Sequence, residues 1–284
     1  MNGQKIPLVS GLWLVGVPIG TARDITLRAL DVLTSADVLA AEDTRSMRKL
    51  LDIHGIALGD RRIIALHDHS NERAVQGLVE AMQRGQSVAY ASEAGMPLIA
   101  DPGFELVRAA RAKNQTVTSA PGVSAVTTAL ALGGLPTDAF QFQGFLPSSR
   151  AARKRAMADL VAVQATLVLY ESPKRIAACV ADAMEMFGPT RPARLCRELT
   201  KKFEEIVGDT LEDIAAHIQT KTVKGEIVLL IDRAEKQIWT TEELEVKLRN
   251  ALETMSLRDA SAHVAAETDT PKRDIYQMGL SLER

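Results

Sequence analysis

The chain has 284 residues, 46% hydrophobic and 25% charged, with a formal net charge of −2. These are globular values, sufficient for two domains of ordinary size, and a near-neutral chain does not hold nucleic acid through its overall charge, so any such contact must come from local basic patches. No apolar run reaches the roughly 18 residues of a membrane helix, and only two cysteines occur, Cys179 and Cys196, each in an apolar-looking stretch, which points to a reducing cytoplasm without a disulfide framework.

Residues 1–20 carry an apolar segment that a secretory leader would share. Gly16, Pro18 and Gly20 interrupt it, however, and it runs straight into a strand–turn pattern, so it reads as the first core strand. Strand one covers 12–17, with its turn at 18–21 and a helix at 26–33. Strand two covers 37–41 and ends in Glu42-Asp43-Thr44-Arg45. The helix after it is basic, with Arg45, Arg48 and Lys49. Strand three covers 63–66 and leads into His67-Asp68-His69, and the next helix runs to Arg84, where Gly85 stops it.

Strand four covers 87–90 and opens the most unusual stretch of the chain, residues 91–103. Small residues, two glycines, two prolines and two carboxylates lie between this strand and an amphipathic helix. Small side chains let backbone approach a ligand, and prolines fix the path. Asp101 and Pro102 fit a helix start, as N-cap and first helical residue. Residues 92–97 are longer than a capped turn requires and read as a ligand loop at the carboxyl end of a strand. Strand five covers 116–119, followed by Ala120-Pro121-Gly122-Val123-Ser124-Ala125 and a helix of small residues. Five βα units of this spacing imply a parallel five-stranded sheet covered on both faces.

Gly133-Gly134-Leu135-Pro136 marks the expected boundary of this first α/β domain, residues 10–134. A second α/β domain over 135–234 has strands near 139–146 and 166–170, a strand pair near 193–207 and a last strand at 226–232. Helices are expected near 149–163, 174–187 and 210–219. Hairpins and crossovers together predict a mixed sheet. Residues 239–284 read as a helical C-terminal extension, with helix starts at 256–260 and 270–274.

The glycine-rich turn at 16–20 has neither the three-glycine dinucleotide spacing nor the Lys-Ser/Thr of a phosphate-binding loop. It still suits a ligand without phosphates, such as S-adenosylmethionine. Three such loops, after strands one, four and five, weigh more than any one. His67 and His69 share a face if they sit on a strand end, but no third ligand accompanies them, so no metal is expected. No Ser-His-Asp order or reactive-cysteine context occurs, and covalent catalysis is not expected. Arg150, Arg153, Lys154 and Arg155 form the strongest basic cluster, with only Asp159 close in sequence to neutralise it. That is the electrostatic footprint of nucleic-acid binding. Lys201 with Lys202, and the helix of Arg45, Arg48 and Lys49, are weaker candidates.

Several ordered motifs together resemble a known family. Pro18-Ile19-Gly20, Asp24-Ile25-Thr26-Leu27-Arg28-Ala29-Leu30 and Ala41-Glu42-Asp43-Thr44-Arg45 belong to this set. So do Glu93-Ala94-Gly95, Asp101-Pro102-Gly103, Gly134-Leu135-Pro136-Thr137-Asp138 and Gly144-Phe145-Leu146-Pro147. Tyr170-Glu171-Ser172-Pro173, Arg197-Glu198-Leu199-Thr200-Lys201 and Lys224-Gly225-Glu226 complete it. The pattern resembles the ribosomal small subunit methyltransferases of the RsmI type, a branch of the tetrapyrrole-methylase fold, over residues 10–233. The helical tail also resembles theirs.

The resemblance implies two α/β domains with S-adenosylmethionine between them, and a homodimer. It also implies methylation of the ribose 2′-hydroxyl of a decoding-region cytidine in 16S rRNA of the small ribosomal subunit. Carried onto this chain, cofactor contacts fall on Pro18, on Ser92, Glu93, Ala94, Gly95 and Met96, and on Ser124 and Ala125, with Tyr170 closing the site. The chain departs from the family's usual Ser-Asp-Ala-Gly-Thr-Pro at Glu93 and Met96. A ribose hydroxyl is a weak nucleophile and its proton must be taken up. Glu42, Asp43 and Glu171 at strand ends are candidates, as is Lys174 if burial lowers its pKa. Anchoring loops by hydrogen bonds is the competing role for each. Two other readings compete: a tetrapyrrole or protein methyltransferase of the same fold, and a non-catalytic RNA-binding assembly factor. Tetrapyrrole enzymes usually show Gly-Pro-Gly-Asp after strand one, which Pro18-Ile19-Gly20 does not match.

Overall fold

The computed structural model describes residues 3–66, 72–234, 239–268 and 270–282. His67 and His69 lie outside the described residues. Five strands, β1 (Gly11–Val15), β2 (Val38–Ala41), β3 (Ile63–Ala65), β4 (Ser87–Ala91) and β5 (Val117–Ala120), form a sheet in the order β3-β2-β4-β1-β5. Every pairing is parallel. The crossovers carry helices α1 (Leu27–Ser35), α2 (Thr44–Ile53), α3 (Glu72–Gln83) and α4 (Phe104–Ala112), and α5 (Ala125–Gly133) follows the last strand. Two of the helix starts are capped by side chains. The Thr26 side chain accepts the Ala29 N–H, and Asp43 accepts the Arg45 N–H at 2.7 Å. Leu33, Leu39 and Met47 pack in one core cluster, and Leu12, Leu78 and Tyr90 in another. With both faces covered, β4 is buried along its whole length rather than alternating.

The second sheet is mixed. Its strands are β6 (Phe140–Phe145), β7 (Thr166–Glu171), β8 (Ala193–Arg197), β9 (Glu205–Val207) and β10 (Ile227–Ile231), in the order β6-β7-β10-β8-β9. Only β6 and β7 pair in parallel. Alternate residues face two cores, as the two-residue period of a strand requires. Leu167, Leu169 and Leu229 meet helices α6 (Arg150–Ala158), α7 (Ile176–Phe187) and α8 (Leu211–Thr220). Val168, Val228 and Leu230 meet Val126, Ala129 and Leu130 of α5. Helix α5 thus follows the first sheet in the chain but packs on the second. Gly133 lets the two approach closely, since a Cβ there would crowd Leu230 Cδ1. Residues up to Ala234 accordingly form one compact unit.

The second unit is helical. Helices α9 (Thr241–Leu252), α10 (Leu257–Thr268) and α11 (Lys272–Leu282) close around Leu244, Leu248, Ala260, Val264 and Ile275. Thr240 and Glu243 form a reciprocal capping box, and Ser256 Oγ accepts the Asp259 N–H. Among the described residues no helix is long and apolar enough to cross a membrane.

One expected element start is displaced. Asp101 and Pro102 do not begin α4; it starts at Phe104 after Gly103, whose φ is +118°. The buried Tyr90 hydroxyl donates to the Pro102 carbonyl at 2.9 Å, which ties this turn to β4. A Cβ on Gly103 would stand 2.6 Å from the Tyr90 ring. Leu98 and Ala100 also take left-handed conformations, with φ of +72° and +60°. Such backbone is strained for residues with a Cβ and is characteristic of ligand sites.

Candidate functional site

Strands β4, β1 and β5 are neighbours in the first sheet. The three unusual loops therefore leave adjacent carboxyl ends and converge. They are locked to each other through backbone. Val17 and Gly95 exchange two hydrogen bonds, Val17 N to Gly95 O at 2.9 Å and Gly95 N to Val17 O at 3.0 Å. Gly16 donates to the Ala120 carbonyl at 2.9 Å. A Cβ on Gly16 would stand 2.6 Å from Gly122 N and 2.8 Å from Met96 Sδ, so only glycine admits this approach. Met96, one of the two departures from the usual loop, accepts the Gly122 N–H on its sulfur at 3.3 Å. The thioether thus ties two of the loops together.

A cavity of about 310 Å³ opens beside these loops. Ala94, Gly95, Met96, Ser124 and Ala125 line one side. The second sheet supplies Phe145, Tyr170 and Glu171, the stretch Gly225–Val228, and Leu199. Ile19, Ile99, Ala100 and Asp101 complete the first wall. Among the described residues the lining includes three carboxylates, Asp101, Glu171 and Glu226, and no lysine or arginine. Lys201 and Arg175 reach Glu226 and Glu171 from outside the lining, at 2.9 Å and 3.2 Å. Such a lining offers hydrogen-bond acceptors to a ligand, with its cations held behind the wall. Burial pushes the Tyr170 hydroxyl up to about 12, with Asp101 and Glu226 adding to the effect, so it stays a hydrogen-bond donor.

Of the residues expected at the cofactor, Ala94, Gly95, Met96, Ser124, Ala125 and Tyr170 line this cavity. Pro18, Ser92 and Glu93 are outside the lining. Ile19, next to Pro18, takes its place. Ser92 is 6% exposed and its hydroxyl has no hydrogen-bond partner. The Glu93 side chain points to solvent, while its N–H is held by Glu42 Oε2 at 3.1 Å. The Gly95 N–H is committed to Val17.

The four candidate proton acceptors separate. Glu42 anchors the 92–97 loop, and Asp43 caps α2 and pairs with Arg45. Lys174 is exposed and lies outside the cavity lining. Glu171 alone of the four lines the cavity; it is 3% exposed, with Oε1 on the Ser172 N–H at 2.8 Å and Oε2 without a hydrogen bond. Arg175, its ion-pair partner, also donates to the Leu146 carbonyl at 2.6 Å and so fastens the loop after β6.

The basic cluster on α6 differs most from its expectation. Acidic partners arrive from α7, about thirty residues later in sequence. Arg153 is 4% exposed and donates to Asp182 Oδ2 from Nε at 2.8 Å and Nη2 at 2.6 Å. Arg150 pairs with Asp182 and Glu185, and Lys154 with Glu185. Arg153 is therefore an internal residue, and Arg150 and Lys154 are engaged in ion pairs, with two carboxylates shared among the three cations. Arg155 remains exposed, as do Arg48 and Lys49 on α2. Lys201, a weaker candidate, bridges Glu198 and Glu226. Cys179 and Cys196 are buried, and desolvation pushes both thiols up to about 12. Among the described residues no three His, Cys, Asp or Glu side chains are grouped to hold a metal ion.

Comparison with known proteins places these features. Residues 11–215 match the family model for tetrapyrrole (corrin/porphyrin) methylases, and residues 240–283 match the model for the RsmI C-terminal HTH domain. Ribosomal RNA small subunit methyltransferase I of Mesorhizobium japonicum is 42% identical over 278 residues, covering 98% of this chain and 94% of its own. The protein of the same name from Vibrio cholerae is 41% identical, covering 98% of this chain and 96% of its own. Among solved structures, the methyltransferase CobJ superposes with a TM-score of 0.61 at 16% identity, over 81% of this chain and 97% of its own. Diphthine synthase gives 0.59 at 16% identity, over 80% and 90%. At such identities these structures speak to the fold alone.

Proposed function

The chain belongs to the tetrapyrrole methylase family, in the branch of ribosomal RNA small subunit methyltransferase I, and from that premise we propose that it is an S-adenosylmethionine-dependent methyltransferase of 16S rRNA. In this reading it methylates the ribose 2′-hydroxyl of a decoding-region cytidine in the small ribosomal subunit, acting as a homodimer in the cytoplasm. The observation that carries it is the cavity at the adjacent ends of β4, β1 and β5, walled by carboxylates and small residues without a basic side chain. Pyrophosphate-bearing cofactors are served poorly there, and a sulfonium with an amino group is served well.

S-adenosylmethionine, when bound, supplies a methyl group on a positively charged sulfur. The residues we assign to its grip are Ala94, Met96 and Ser124, with Ile19 and Leu199 as apolar walls, all of which line the cavity. The chain's main task is orientation, which in favourable cases supplies about 7–11 kcal/mol. Glu171 is the proposed proton acceptor for the ribose 2′-hydroxyl, with its Oε2 paired to Arg175 at 3.2 Å. The loop that carries the grip is braced from behind by Glu42. On the RNA side, Arg155, Arg48 and Lys49 are the proposed phosphate contacts, as exposed cations that the fold does not use internally.

Calorimetry with S-adenosylmethionine and a methylation assay on unmethylated small subunits test the proposal together. Micromolar binding and transfer to intact subunits in preference to naked rRNA are expected, because one nucleotide must be presented by a large folded surface. No binding at millimolar cofactor, with or without subunits, would refute the enzyme reading. Sedimentation of the free protein tests the dimer.

A further inference from the structure

Phe145 is 56% exposed although it lines the cavity. Its position follows from an irregularity in β6. Phe142 pairs with Val168, and the register then slips by one residue, so that Gly144 pairs with Leu169 and Phe145 with Tyr170. Directly paired residues share a face of a sheet, and faces alternate along a strand. In a regular strand Phe142 and Phe145, three apart, would point to opposite faces. The extra residue, Gln143, and the left-handed Gly144 (φ +62°) bring Phe145 to the face of Val168 and Tyr170, which is the cavity face.

There the ring meets Tyr170 edge-on, 5.7 Å between centroids at 65°, and Tyr170 in turn meets Phe142 at 4.9 Å. Arg175 holds the following residues, Leu146 and Pro147, by their carbonyls. The platform is thus fixed at its edge and open over much of its surface.

The cavity behind it, at about 310 Å³, is at the low end of the roughly 300–1,000 Å³ range of small-molecule sites. A volume of that size suits one small molecule. The base of a nucleotide whose ribose reaches into the cavity then stays at the mouth. We propose that Phe145 is the stacking platform for the base of the target nucleotide, which leaves its helix and lies on the exposed ring while the ribose turns inward. This rests on the rRNA-methyltransferase reading above and adds the residue that positions the acceptor. Stacking accepts any base, so Phe145 positions the nucleotide without identifying it.

Three variants test the platform in the full chain: Phe145→Ala, Phe145→Leu and Phe145→Trp. With unmethylated small subunits, Phe145→Ala should lower kcat/KM by about 5- to 150-fold, the effect of removing one base–aromatic stack. Phe145→Trp should retain activity, and Phe145→Leu, apolar but not aromatic, should fall with Phe145→Ala. S-adenosylmethionine affinity by calorimetry should stay within roughly twofold throughout, as expected for an exposed position. A single-stranded RNA carrying 2-aminopurine should be quenched by the parent protein and not by Phe145→Ala, a readout independent of methyl transfer. Leucine serving as well as tryptophan, equal quenching by Phe145→Ala, or a loss confined to cofactor affinity would each overturn the proposal. Quenching by a parent protein that transfers no methyl group to any RNA would refute the methyltransferase reading and leave the platform standing.

Discussion

Asp182→Ala tests whether the basic helix α6 is an outward surface or an inward brace. Asp182 is 2% exposed, and its oxygens take hydrogen bonds from Arg150 and, twice, from Arg153. Without that carboxylate the Arg153 guanidinium, itself buried, keeps only the Ser148 carbonyl. Breaking a buried pair from one side costs about 3–5 kcal/mol, or roughly two to three and a half powers of ten in the folding equilibrium. At about 2–4 °C per kcal/mol for a unit of this size, Tm should fall by about 6–20 °C. Replacing both partners, Asp182→Leu with Arg153→Met, should recover most of the loss by removing both charges.

The same pair sets a pH dependence. Burial by itself would push the Asp182 carboxyl up, but the hydrogen bonds from Arg150 and Arg153 outweigh burial and hold it below the usual carboxylate range. A folded-state value below the unfolded one stabilises fully above the unfolded pKa, about 3.9, and the stabilisation is lost as pH falls through the folded value. The Tm difference between parent and Asp182→Ala should therefore be constant near neutrality and shrink at pH values below about 4. Differential scanning calorimetry across pH measures both. A Tm within about 2 °C of the parent at neutral pH, together with a reduced salt slope of rRNA binding in Arg153→Ala, would show Arg153 on phosphate and refute the argument.

Three further outcomes are expected at the cavity. Gly16→Ala forces the loops after β1 and β5 apart, which should destabilise by about 1–3 kcal/mol in a denaturant melt and weaken cofactor binding in calorimetry; unchanged affinity would remove this contact from the cofactor's support. Glu93→Asp should leave cofactor affinity within roughly twofold, since only its N–H is held, whereas Glu42→Ala, which releases that N–H, should weaken binding more; the opposite ranking would place the Glu93 side chain on the ligand. Glu171→Gln keeps an oxygen for the Ser172 N–H but cannot take a proton. It should lower kcat at saturating cofactor by about 10²–10⁴, and full activity would exclude Glu171 as the base.

Much of the fold was legible because its signals act within a few residues. Thr26, Asp43 and Thr240 cap helices from one position before them. The fully apolar 227–231 segment reads as an interior strand, and β10 is the central one of its sheet. The α4 start was misread because Asp101-Pro102 has the right local chemistry, and a contact from Tyr90 to the Pro102 carbonyl, twelve residues away in sequence, accompanies the different turn. Gly95 looks free in sequence, yet its N–H is used by Val17.

Taken alone, the sequence determined the order and type of the elements, the loops that matter and the family, since turns, caps and period-two patterns are local properties. Tertiary structure alone decided which loops meet, by placing β4, β1 and β5 side by side. It turned Arg153 inward and paired Arg150 and Lys154 at the surface, because Asp182 and Glu185 reach them across a helix pair. It also set Phe145 at the cavity mouth, through a one-residue slip between strands. Strand neighbours, charge partners and register are relations between distant segments, and those relations are settled only when the segments pack.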